Sequence, residues 1–141
     1  MVESDIETAR CIEGNAIPKH LHFIWLGDDL PTWVARNIES FEALNPDLSI
    51  TLWRDGDLRW LRNQKVFDEC TSLAGKSDIA RYEVLHRFGG LYLDCDFECL
   101  RPLDPIWKIS QDSSVVLSSE RPGVFSNGLM GAAAGAALFE D

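Results

Sequence analysis

Lys76-Ser77-Asp78-Ile79-Ala80-Arg81-Tyr82 opens a run that continues through Phe88-Gly89-Gly90 into Leu91-Tyr92-Leu93-Asp94-Cys95-Asp96. Its first part reads as a helix. The Ser77 hydroxyl can cap the start, and Ile79, Tyr82, Leu85 and Phe88 recur at the spacing of a buried stripe. Gly89-Gly90 accepts the left-handed backbone that helix ends commonly need. A strand, Leu91 to Asp96, begins at once. The same alternation extends outward on both sides. His20 to Leu26 is rich in strand formers and stops at Gly27-Asp28-Asp29. Pro31 then suits a first helical turn, with Val34, Ile38, Phe41 and Leu44 on one face until Asn45-Pro46. Leu48 to Trp53 alternates as a second strand. Residues 58–71 hold short helices, and 114–118 and 125–130 read as two more strands. Strands alternating with helices predict an α/β fold with a largely parallel sheet. Ligands of such sheets sit beyond the carboxyl ends of the strands.

Composition narrows the partners. Of 141 residues, 13 are Lys or Arg and 23 are Asp or Glu, a net charge of −10. Such a surface repels phosphate backbones, so no nucleic-acid partner is expected. An anionic substrate needs a metal or a few placed cations. Residues 1–16 read as a polar lead-in without the apolar core of a signal peptide. No run is long enough to span a membrane. Cys11, Cys70, Cys95 and Cys99 are too scattered for a disulfide framework and read as reduced thiols. These features together read as a cytoplasmic chain.

The candidate chemistry collects around the third strand. With side chains alternating every residue, Leu91, Leu93 and Cys95 point one way and Tyr92, Asp94 and Asp96 the other. Two carboxylates on one strand face repel unless a cation joins them. Oxygen ligands select a hard divalent ion such as Mg²⁺ or Mn²⁺. The bland alternative is a polar strand end entering a solvated loop. Asp-x-Asp also opens the haloacid-dehalogenase phosphatase motif, but Glu98 stands where that motif needs Thr or Val. Ser77, Asp78 and Arg81 can orient sugar hydroxyls or meet a phosphate. They can equally be a capping Ser and a surface ion pair at i, i+3. Trp25 and Trp53 end two strands. Trp25 can stack on a base, whereas Trp53 reads as core. His20 and His22 share a strand face and, lacking a third ligand, read as packed.

Taken in order, Ile17-Pro18-Lys19 through His22 to Ile24-Trp25-Leu26-Gly27, the Lys76–Tyr82 segment and Phe88–Asp96 resemble the glycosyltransferases with a DXD sugar-binding motif. That family includes fungal initiating mannosyltransferases, bacterial capsular-polysaccharide glycosyltransferases and, distantly, the glucosyltransferase domains of clostridial toxins. The resemblance implies a GT-A fold, a Rossmann-like α/β/α sandwich binding a nucleotide-sugar, over residues 17–141. It implies Mn²⁺ (or Mg²⁺), a nucleotide-diphosphate sugar donor such as a UDP-sugar or GDP-mannose, and a glycan, lipid or protein acceptor. Transfer is expected to retain anomeric configuration. By position, Trp25 stacks on the base, while Ser77, Asp78 and Arg81 contact the sugar or ribose. Tyr92 lies against the nucleotide, Asp94 and Asp96 hold the metal, and Asn127 sits at the donor. Asp78, Arg81 and Asp96 carry the catalytic expectation. Related domains run longer, so the expectation is the N-terminal part of a catalytic domain, truncated at its C-terminus. The alternative is a catalytically weak nucleotide-sugar-binding module.

Overall fold

The computed structural model describes residues 6–9 and 16–139, so Cys11 lies outside the described residues. Six strands form one sheet: β1 (Ile6–Ala9), β2 (His20–Ile24), β3 (Ser49–Trp53), β4 (Gly90–Leu93), β5 (Val115–Arg121) and β6 (Val124–Ala132). Their order is β1-β5-β6-β4-β2-β3. β3, β2 and β4 run parallel, whereas β6, β5 and β1 join through antiparallel ladders. The expectation of a largely parallel sheet is therefore corrected to a mixed one. A two-residue turn joins β5 to β6 (Arg121↔Val124), a connection too short for the helical crossover that parallel neighbours need. Residues 6–9 of the polar lead-in also serve as a strand, pairing with β5.

Helices cover the sheet. α1 (Thr32–Leu44) buries Val34, Ile38 and Phe41 as its spacing predicts, whereas Leu44, expected on the same face, is exposed at the helix end. With Ile106 and Trp107 of α4 (Asp104–Ser110), these pack on Leu21, Phe23, Leu91 and Leu93. α3 (Leu73–Phe88) packs the opposite face, placing Ala80, Val84 and Leu85 with Ile24, Tyr92 and Met130. Phe67 of α2 (Gln64–Glu69) completes that layer. The period-two division of β2 and β4 thus sorts two cores, and the result is a three-layer α/β/α sandwich.

α3 departs from its sequence reading at the start and in its stripe. It begins four residues before Ser77, capped by Ser72, whose Oγ accepts the Gly75 N–H at 2.9 Å. Its buried residues are Ala80, Arg81, Glu83, Val84 and Leu85, of which Leu85 alone lies on the expected stripe, and Tyr82 and Phe88 are over one-third exposed. Phe88 instead stacks beside Trp53 and Trp60, with the Arg87 guanidinium above Trp60. The helix ends at the glycine pair as expected. Gly90 has φ +108°, and a Cβ there would collide with the His20 carbonyl of β2. The parallel β2–β4 contact needs that bare backbone.

His22 is fully buried and shows why its pattern meant packing. Its Nε2 donates to the Gly89 carbonyl at 2.8 Å, and its Nδ1 accepts the Trp53 indole N–H at 3.1 Å. His20 stacks on it with ring centroids 4.2 Å apart. Among the described residues Cys70, Cys95 and Cys99 are free thiols. No helix there is long and apolar enough to cross a membrane.

Candidate functional site

The carboxyl ends of β2 and β4 emerge side by side because the strands are parallel neighbours, Leu21 opposite Leu91 and His22 opposite Tyr92. β2 continues into Trp25, whose N–H donates to the Trp53 carbonyl and whose carbonyl accepts from Arg54 Nε, at 3.0 and 2.9 Å. Asp55 Oδ2 accepts the Gly27 N–H at 2.9 Å, which closes the turn after the strand.

β4 ends at Leu93, earlier than the strand to Asp96 expected from sequence. Asp94, Cys95 and Asp96 form a turn instead. The two acidic residues therefore do not share a strand face, but both line one cleft. Cys95 secures the turn: its carbonyl accepts from Asn37 Nδ2 at 2.9 Å, and its thiol donates to the Ile24 carbonyl. Burial pushes that thiol up to about 11, so it stays protonated and unreactive. Asp96 is exposed, whereas Asp94 is half-buried.

β6 brings its contribution through an irregularity. Leu117 of β5 pairs with Met130, but Ser118 pairs with Ser126, so residues 127–129 leave the β5 ladder. Freed there, the Gly128 carbonyl accepts the Asp94 N–H at 2.8 Å, and the Ser126 hydroxyl accepts the Gly128 N–H. Asn127 Nδ2 donates to Asp78 Oδ1 at 3.2 Å. Bulges of this kind redirect a strand toward a site.

Arg81 ties these pieces together from α3. Its side chain is 6% exposed. Nε donates to the Ser77 carbonyl at 3.2 Å, Nη1 to the Asn127 carbonyl at 2.8 Å and Nη2 to Ser77 Oγ at 3.0 Å. Nη1 also pairs with Asp94 Oδ1 and Nη2 with Asp78 Oδ1, both at 3.2 Å. The Tyr92 ring lies under the guanidinium at 4.5 Å, and the Tyr92 hydroxyl donates to Asp94 Oδ1 at 2.8 Å. Burial raises the Tyr92 phenol above its ordinary range, which keeps it a donor. The Asp78–Arg81 pair at i, i+3 joins a buried guanidinium to a half-exposed carboxylate, unlike a pair exposed on both sides.

The cleft has a volume of about 340 Å³. Trp25, Trp33, Ser77, Tyr92, Asp94 and Asp96 are among the residues lining it. Among the described residues Trp25 Nε1 is buried without a hydrogen-bond partner. Trp33 was not singled out from sequence. It lies off the α1 stripe and half exposed, edge-on to Trp25 at 5.9 Å, and an exposed Trp beside a buried helical stripe was the available signal. Gly128 was missed too; its role depends on a bulge that no local pattern announces. The structure brings Ser77, Asp78, Arg81, Tyr92, Asp94 and Asn127 into one connected cluster.

Residues 31–114 match the family described as glycosyltransferase sugar-binding region containing DXD motif. The chain belongs to this glycosyltransferase family. The match contains Ser77, Asp78, Arg81, Tyr92, Asp94 and Asp96, while Trp25 and Asn127 join them only in three dimensions. Inositol phosphoceramide mannosyltransferase 3 of Schizosaccharomyces pombe is 34% identical over 129 residues, 85% of this chain and 34% of that protein. Mannosyl phosphorylinositol ceramide synthase CSH1 of Saccharomyces cerevisiae is 28% identical, over 82% of this chain and 31% of that protein. The chain thus spans about a third of the length of these curated relatives. The solved structure titled PaToxG Glycosyltransferase superposes with a TM-score of 0.70 at 19% identity, covering 88% of this chain and 57% of that one. Its likeness supports a GT-A fold for the chain.

The divalent metal usual in the DXD family fits the residues present. Both carboxylates are hard oxygen donors on one cleft, and Asp94 Oδ2 accepts no hydrogen bond among the described residues. A Cβ at Gly128 would stand 2.8 Å from that oxygen, so the glycine keeps the space beside it open. Among the described residues no cluster of three or more His, Cys, Asp or Glu side chains is arranged to hold a metal. Two protein carboxylates with the rest supplied by water and substrate phosphates is a common way to bind Mg²⁺-like ions.

Proposed function

We propose that the cleft binds a nucleotide-diphosphate sugar with a divalent cation, Mn²⁺ or Mg²⁺, held by Asp94 and Asp96. The observation that carries this reading is that both carboxylates face one cleft with Trp25 at the carboxyl edge of the parallel strands. The cation offsets the repulsion between a diphosphate and a chain of net charge −10. When bound it acts as a Lewis acid on the leaving diphosphate. Trp25 offers its indole to the base, and Ser77, Asp78 and Asn127 offer hydroxyl, carboxylate and amide groups to sugar and ribose. Asp78 is half exposed beside Asn127 and is suited to binding sugar hydroxyls. Among the described residues no side chain of the cleft is placed as an activated nucleophile, so the retention expected from the family resemblance proceeds without a covalent protein intermediate.

The names of the yeast relatives specify mannosyl transfer to inositol phosphoceramide. On that ground the donor is GDP-mannose and the acceptor a phosphoinositol-bearing lipid. Because the chain spans a third of those proteins, donor binding and transfer are separate tests. A ligand at a hundredfold excess over Kd stabilises the folded state by about 2.7 kcal/mol. GDP-mannose with Mn²⁺ is expected to raise the melting temperature, and with EDTA much less. UDP- and CMP-sugars serve as competitors for the base preference. Asp96→Asn, at an exposed turn, is expected to change stability by less than about 0.5 kcal/mol yet remove the Mn²⁺ dependence. No shift with any nucleotide-diphosphate sugar in either condition sinks the donor-site reading. Binding without release or transfer of mannose favours the non-catalytic binding module.

A further inference from the structure

Sequence resemblance places Arg81 against the donor, but its surroundings point elsewhere. A guanidinium carries five N–H donors in a fixed fork. Here its three nitrogens meet five oxygens of this chain at 2.8–3.2 Å: the Ser77 carbonyl and hydroxyl, the Asn127 carbonyl, and one carboxylate oxygen each from Asp78 and Asp94. One ring face is covered by Tyr92. Three of these contacts are hydrogen bonds and two are ion pairs, and with its side chain 6% exposed the guanidinium is turned to these groups of the chain. Arg81 reaches one specific atom, Asp94 Oδ1, which also accepts the Tyr92 hydroxyl.

The other oxygen is governed by Gly128. Its φ is not in the left-handed region, so the backbone makes no demand for glycine there. A Cβ would nevertheless stand 2.8 Å from Asp94 Oδ2 and 3.5 Å from Asp94 Cγ, closer to the oxygen than real Cβ atoms come. A side chain there makes the Asp94 carboxylate shift.

We propose that Arg81 and Gly128 are positioning residues that decide which oxygen of Asp94 meets the cation. Arg81, with Tyr92, holds Oδ1, and Gly128 keeps Oδ2 open toward the cleft. The guanidinium also offsets the repulsion between Asp94 and Asp96 before metal arrives. This inference rests on the metal-dependent reading of the cleft. Groups that orient a ligand through a hydrogen bond typically change metal affinity by about 10–100-fold when altered.

The test is titration with MnCl₂ alone, reading free Mn²⁺ by electron paramagnetic resonance. Wild type, Arg81→Lys, which keeps the charge but loses the fork, and Gly128→Ala are compared. Melting temperatures establish which variants are folded, and Gly128→Ala carries the test if Arg81→Lys is not. Both variants are expected to bind Mn²⁺ at least about tenfold more weakly. At saturating Mn²⁺ they are expected to recover wild-type affinity for GDP. Unchanged Mn²⁺ affinity in the folded variants, or a loss of GDP affinity confined to Arg81→Lys at saturating Mn²⁺, overturns the proposal and makes Arg81 a phosphate ligand. Failure of wild type to bind Mn²⁺, alone or with GDP, overturns the metal reading itself and this inference with it.

Discussion

His22 shows how much a single buried residue can govern without touching the cleft. Its ring donates through Nε2 and accepts through Nδ1, so it serves both partners only when neutral. Burial lowers its pKa from 6.5 to about 4, with the stacked His20 pushing the same way. The neutral form is therefore favoured in the folded state. Its contribution to stability is complete above pH 6.5 and is lost as pH falls from 6.5 toward 4, a decline of up to about 3 kcal/mol. Urea midpoints at pH 7, 6, 5 and 4 for wild type and His22→Gln measure it. The stability difference between the two proteins is expected to shrink as the pH falls through this window. A difference that stays constant assigns the acid sensitivity to other groups.

α3 is the element whose exact start matters most. Capping by Ser72 instead of Ser77 adds a turn of helix before the cleft residues, so Ser77 lies inside the helix with its carbonyl and hydroxyl turned to Arg81. The two serines are expected to fail differently. Ser72→Ala removes an N-cap and is expected to cost about 1 kcal/mol, a melting-temperature drop of a few degrees, with donor binding unchanged. Ser77→Ala removes an acceptor of the Arg81 fork, and its effect is expected in Mn²⁺ affinity more than in helix stability. Paired melting and Mn²⁺ titration of both variants separate the roles. Equal losses of stability without a change at the cleft make Ser77 a helix residue only. β4 and β6 illustrate the same dependence on element ends: the stop at Leu93 and the bulge at 127–129 are what turn two acidic residues and a glycine toward one another.

Across the whole molecule the dominant property is charge. With 23 acidic and 13 basic residues, the field of the chain attracts a divalent cation and repels a free diphosphate. Salt screens both effects, with a Debye length of about 10 Å at 0.1 M ionic strength. Mn²⁺ affinity is expected to fall as KCl rises from 0.02 to 0.2 M (about these values, chosen to bracket that screening length), while metal-free nucleotide affinity holds or rises. Calorimetric titration at the two salt concentrations reads both signs. A metal affinity that ignores salt implies that only the local carboxylates act on the cation.

The sequence by itself determined the alternation of strands and helices, the α1 stripe, the glycine pair after α3 and the acidic residues at the end of β4. Each of these follows from local chemistry: apolar spacing, the conformational freedom of glycine, and the sign of a side chain. It also carried the family, because Ser77 through Asp96 is one contiguous block. The antiparallel half of the sheet was decided only by tertiary structure, since strand formers look alike whichever way they pair. The start of α3 was likewise hidden, because Ser72 and Ser77 are equally good caps, and its buried face was chosen by packing. Only folding shows that Arg81 faces inward on five oxygens and that Gly128 borders Asp94 Oδ2. The contacts that join α3 and β4 to β6 span 34 positions (Asp94 with Gly128) and 46 positions (Arg81 with Asn127), and no spacing rule in a single sequence reaches that far.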